Sequence, residues 1–248
     1  MSLDIAITRK RFANGHEALR DLHLHAQAGE FVALVGPSGA GKSTLLNLVA
    51  GLDTDFEGHL SWKQQPLSRN TLPRLGYLFQ ESRLLPWLTV RQNLRLVLPD
   101  LSEAALRLGL ASVELTPGCA DQYPGQLSGG MQRRVALLRA FVVQPELLLM
   151  DEPFQSLDAP TASQLRALLH RLWTQTRPTV LFVTHDLREA LCLAQRIVFL
   201  SGAPAQVVCE HRPTQTALAH VDDAAVQHAY AELLRQNPQL LHGIQAPQ

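Results

Sequence analysis

Lysine is nearly missing from this sequence. Of 22 basic residues only Lys10, Lys42 and Lys63 are lysines, and arginine supplies the rest. Acidic residues also number 22, so there is no bulk field to attract nucleic acid or anionic lipid. Cysteine is scarce as well. Cys119, Cys192 and Cys209 are odd in number, scattered and in no CxxC pair, which argues against a disulfide framework or a zinc site and suits a reducing compartment. Long apolar runs are absent. LLLM and VLFV fall far short of the ~20 residues that span a bilayer, and the start, MSLDIAITRKRF, lacks the apolar stretch of a signal peptide. The chain is expected to be soluble by itself and to reach any membrane through a partner. Internal repeats, low-complexity tracts and long linkers are also lacking.

What remains is a globular composition, 46% hydrophobic and 18% charged over 248 residues, enough for a sizeable core. FVALVG (31–36) followed by STLLNLVAGL reads as strand, turn and helix. RLGYLFQ (74–80) reads as a strand, with Gln80 at its end. PELLLMDEP (145–153) and TVLFVTHD (179–186) lack alternation, the pattern of buried parallel strands. Between them, Leu165, Leu168, Leu169, Leu172 and Trp173 mark an amphipathic helix. LREALCLAQ predicts another helix and IVFL another strand, so the architecture is α/β. Residues 87–140 hold helical patterns and no convincing strand, which makes them a helical insertion between core segments 1–86 and 141–210. The tail, 211–248, carries one helix-like segment, AAVQHAYAELLRQ. A single domain covers 1–248.

GPSGAGKST (36–44) fits GxxxxGK[ST] between a strand and a helix. Its glycines Gly36, Gly39 and Gly41 let backbone N–H groups of the loop, Ser38 and Thr44 included, turn toward phosphate oxygens at a helix N-terminus. Lys42 is expected on the β/γ-phosphates and Ser43 on Mg²⁺. Asp151, ending a buried strand, can hold the same ion, and Glu152 can polarise an attacking water. Acidic residues after a strand also cap helices, and taken alone the two readings weigh equally. Gln80 could touch both Mg²⁺ and water, and a neutral His185 could donate to a γ-phosphate. A lone Gln or His at a strand end more often satisfies a loop. Their weight comes from converging on one sheet edge, where α/β proteins bind ligands.

QLSGGMQRR (126–134) opens a second helix with glycines, Ser128 as its N-cap and Gly129 and Gly130 as its first residues. From this segment alone, an ordinary glycine-rich helix start is the simpler reading. LSGGM nevertheless resembles the signature of ATP-binding cassette (ABC) proteins. Phe12, the loop at 36–44, Gln80, LLLMDE (147–152), SLDA (156–159) and His185 follow in that family's order. The resemblance spans roughly residues 3–200. It implies a P-loop NTPase core with a mainly parallel sheet, an N-terminal antiparallel β region and an inserted helical subdomain. It also implies ATP and Mg²⁺ as cofactors, and a homodimer in which Ser128, Gly129 and Gly130 of one copy close over ATP held by the other. Phe12 would stack on adenine, with core packing as its plainer reading, and Asp158 would link the two sites. FQESRLLPW (79–87) resembles nitrate, sulfonate and taurine importer cassettes. That implies integral membrane permease subunits, with Trp87 and Leu88 as contacts, a solute-binding protein, no nucleic acid, and a place on the cytoplasmic face of the inner membrane.

Two departures stand out. Met131 replaces the commonest glutamine of the signature and cannot complete a capping box with Ser128. Gln155-Ser156 replaces the usual glycine-alanine. An exporter cassette, or an ABC ATPase of DNA maintenance or translation, is the alternative. Against the latter, no sustained heptads separate loop from signature, and one cassette is present. A small-molecule kinase would not need LSGGM.

Overall fold

The computed structural model describes residues 3–68, 70–213 and 224–236. The chain runs through β1 (Leu3–Arg11), β2 (Glu17–Ala26), β3 (Phe31–Val35), α1 (Lys42–Val49), β4 (Glu57–Trp62), β5 (Gln65–Pro66) and β6 (Leu75–Leu78). Next come α2 (Val90–Arg95), α3 (Glu103–Ser112) and α4 (Gly129–Val142). It finishes with β7 (Leu147–Asp151), α5 (Ala159–Thr176), β8 (Thr179–Thr184), α6 (Leu187–Leu193), β9 (Arg196–Leu200), β10 (Val207–His211) and α7 (Ala224–Gln236).

Two sheets form. One is antiparallel, ordered β2-β1-β4-β5, and the other is ordered β10-β9-β3-β8-β7-β6. Strands β6, β7, β8, β3 and β9 run parallel, and β10 adds an antiparallel edge. Buried β-branched and leucine runs explain the middle of this sheet, since β3, β8 and β9 are covered on both faces. Alternation divides the core. Phe31, Ala33 and Val35 join the cluster under α4, α5 and α6, while Val32 and Leu34 join α1 and the antiparallel sheet. Three layers follow, with the parallel sheet in the middle.

The register brings the carboxyl ends level: Val35 pairs with Thr184, Asp151 with Val183, and Leu78 with Met150. The expected strand through Gln80 is corrected here. β6 stops at Leu78, and Gln80 lies in a bend two residues beyond. The insertion contains no strand, and its three α-helices start at side-chain caps. Thr89 builds a capping box with Gln92, Ser102 accepts from the Ala105 N–H, and Ser128 accepts from the Met131 N–H. No described helix is long and apolar enough to cross a membrane.

Candidate active site

The level strand ends open onto a cavity of about 400 Å³. Its wall includes Phe12, residues 38–44, Gln80, Asp151, Glu152 and Gln155. The loop from β3 into α1 is shaped by Gly41, the α1 N-cap, at φ 87. A Cβ there would lie 2.8 Å from the Ala18 carbonyl oxygen, so no other residue fits without strain. Lys42 follows, 5% exposed, with Nζ donating to the carbonyls of Gly36 and Pro37, each at 2.8 Å. Burial pushes the Lys42 ammonium below its ordinary pKa, and the nearby charges of Glu152 and Asp151 oppose the shift.

Ser43 Oγ donates to Asp151 Oδ1 at 3.0 Å. Burial raises the Asp151 carboxyl above the usual carboxylate range, and the neighbouring Glu152 charge adds to this. A hydroxyl, a desolvated carboxylate and the Gln80 carboxamide form a hard-oxygen set that fits Mg²⁺, whose charge would relieve the cost of burying Asp151. The Gln80 amide donates to Gln155 Oε1. Gln155 therefore lines the site, which its standing as a departure from the motif did not foretell.

Glu152 is held at φ 45, with its N–H donating to the Val183 carbonyl at 2.9 Å. Its Oε2 lies 2.8 Å from His185 Nδ1. With Glu152 ionised, Nδ1 must be the donor, so a neutral His185 presents Nε2 as an acceptor. The expected donation from neutral His185 to a γ-phosphate therefore requires either a protonated ring or release from Glu152. His185 itself is exposed and reaches the cavity through Glu152. Phe12 is 38% exposed on the cavity wall, so its core-packing reading fails. Its ring lies within 7° of parallel to that of His16, 6.3 Å away.

The second glycine-rich helix start is elsewhere. Ser128 and Gly130 line a separate cavity of about 350 Å³ with Thr161 and Gln164, and this cavity shares no residue with the first. Asp158 lines neither. Its carboxylate caps α5 by accepting from the Thr161 N–H at 3.2 Å, which holds its pKa below the ordinary value.

The ABC transporter family model matches residues 19–155. The chain belongs to the ABC transporter family. It is 42% identical over 213 residues to the aliphatic sulfonates import ATP-binding protein SsuB of Bacillus licheniformis, covering 84% of this chain and 83% of the relative. The protein of the same name from Cupriavidus pinatubonensis is 42% identical over 233 residues, 92% of this chain and 77% of the relative. A solved dimeric ATP-binding cassette, in a post-hydrolysis state bound to ADP and Pi, superposes with a TM-score of 0.75 at 32% identity, covering 86% of this chain and 99% of that one. As an ABC ATPase, the chain binds and hydrolyses ATP.

This ABC ATPase also carries features its motifs do not announce. Asn93, fully buried, accepts from the Leu85 N–H and donates to the carbonyls of Leu85, Leu88 and Thr89. That fixes the loop presenting Trp87, which is 69% exposed, so Trp87 is not core. Leu88 is half-buried beside it. Residues 214–223 and 237–248 of the expected tail lie outside the described residues, while AAVQHAYAELLRQ forms α7 as anticipated.

Proposed function

We propose that the whole chain works as one ATPase cassette that pairs head to tail with a second copy and powers solute import. One observation carries the pairing. Gly129, the first residue of α4, has an ordinary φ, and a Cβ built on it meets nothing within 4 Å. Among the described residues nothing needs glycine there, and glycine is a poorer helix former than alanine. A close approach from outside supplies a reason. A nucleotide held by the partner's loop is such an approach, and backbone N–H groups at a helix N-terminus suit its γ-phosphate.

Within one site, Lys42 Nζ would exchange its loop carbonyls for β/γ-phosphate oxygens. Ser43, Asp151 and Gln80 would hold Mg²⁺, which when bound draws charge from the phosphate oxygens. Glu152 takes the proton of the attacking water, His185 orients Glu152, and Phe12 stacks on adenine. Ser128, Gly129 and Gly130 of the partner close the site, and Asp158 lies beside them at the interface.

The relatives named for aliphatic sulfonate import support import over export and make aliphatic sulfonates the first solute class to try. Permease subunits would receive Trp87 on the cytoplasmic side of the membrane, with a solute-binding protein delivering solute and no nucleic acid involved. The test is sedimentation of Glu152→Gln protein. It should be monomeric alone and dimeric with ATP and Mg²⁺, and adding Ser128→Arg should keep it monomeric. A dimer that is indifferent to both ATP and Ser128→Arg would contradict the proposal. The import reading is checked separately. ATPase of the reconstituted permease complex should rise with an alkanesulfonate-loaded binding protein, and no response would remove the solute class.

A further inference from the structure

Helix α4 uses two of its arginines on the main chain around Gln80. Arg139 donates from Nη1 to the Arg83 carbonyl at 2.7 Å and from Nη2 to the Ser82 carbonyl at 2.9 Å. Arg133 Nη1 donates to the Gln80 carbonyl, with the Phe79 carbonyl 3.5 Å away. The segment they hold is itself shaped to face them. Arg83 sits at φ 43 with its guanidinium 4.1 Å from the Phe79 ring centroid, and Phe79 stacks on Tyr77 at 3.9 Å.

Burial pushes the Arg139 guanidinium below its ordinary pKa, and among the described residues no carboxylate pairs with it. A desolvated cation satisfied by carbonyls alone is costly. Its return is geometric, because a planar fork holds its two carbonyls in a fixed relative orientation that a freely rotating ammonium does not impose. The Gln80 side chain is tethered on its other side by Gln155. Its carboxamide thus hangs between α4, through the main chain, and Gln155.

We propose that Arg133 and Arg139 are positioning residues that transmit the place of the signature helix α4 to the Gln80 carboxamide. This rests on the reading of Gln80 as a ligand of cation and water. Neither arginine lines the first cavity, so each acts through the segment 79–83. Displacing that carboxamide by about an ångström can cost up to ~10²-fold in rate.

A double-mutant cycle on the full chain tests this. Arg133→Met should lower kcat roughly tenfold and leave KM for ATP within about twofold. Arg133→Lys should recover only part of the loss. Gln80→Ala should also lower kcat, and in that background Arg133→Met should have no further effect. In the nucleotide-free chain, amides of 79–83 should exchange faster in Arg133→Met while α4 stays protected. Additive losses in the cycle, or unchanged exchange at 79–83, overturn the proposal. If Arg133 acted only in the second cavity, which it also lines, its effect would survive Gln80→Ala. Gln80→Ala with full activity would instead remove the role of Gln80, and the positioning with it, an outcome distinct from additivity. Arg139→Met should repeat the pattern, and half-buried Arg133 carries the test where the Arg139 variant does not fold.

Discussion

The two glycine-rich helix starts look alike in sequence and differ in what surrounds them. At the first, Gly41 is demanded by its own chain, through φ 87 and the Ala18 carbonyl. Lys42, Ser43, Asp151, Glu152 and Gln80 place an ammonium, a hydroxyl, two carboxylates and a carboxamide around one cavity. At the second, nothing among the described residues demands Gly129, and the lining of the adjoining cavity carries no carboxylate. A start of the first kind can bind and activate a phosphate. A start of the second kind lacks those groups, as the proposed completion of a partner's site requires.

The largest effect expected is on turnover. Glu152→Gln should keep ATP bound and cut hydrolysis by ~10²–10⁴-fold, read by phosphate release. Activity within about threefold of wild type would take the general base away from Glu152. Next is affinity. Lys42→Ala removes charge-assisted hydrogen bonds worth ~1.5–3 kcal/mol and should weaken ATP binding to the monomer about 10–100-fold by calorimetry. Ser128→Arg should leave that affinity unchanged while abolishing hydrolysis. Equal losses of monomer affinity would erase the distinction between the two starts. The smallest effect is on stability, and here the signs should be opposite. Gly41→Ala should destabilise by ~1–3 kcal/mol through backbone strain. Gly129→Ala, at the first helical position, should stabilise the isolated chain by a few tenths of a kcal/mol, less than the interior value of about 1 kcal/mol, and still impair hydrolysis. Urea melts measure both.

The sequence announced much of this through residues whose local chemistry leaves few choices. Unalternating runs marked β3, β7 and β8, and Ser128 marked the start of α4 through its cap. The antiparallel strands came only from the family resemblance, although Leu3, Ile5 and Ile7 alternate with less buried residues along β1. The contacts of Arg133 and Gln155 with Gln80 were illegible in the sequence. They depend on a main-chain carbonyl and a carboxamide brought near through space, and no spacing encodes that. The contact between Glu152 and His185 was hidden for the same reason, since it forms through space.

Mixing two inactive proteins separates sites shared between chains from sites built within one chain. Neither Ser128→Arg nor Lys42→Ala protein can build an intact site by pairing with its own copies. If loop and signature of a site come from opposite chains, a mixed heterodimer holds one site with both defects and one with neither. ATPase activity should reappear on mixing with ATP and Mg²⁺, in proportion to heterodimer formed. Heterodimers shown to form and to bind ATP, yet without any activity even in single-turnover measurements, would contradict sites shared between chains.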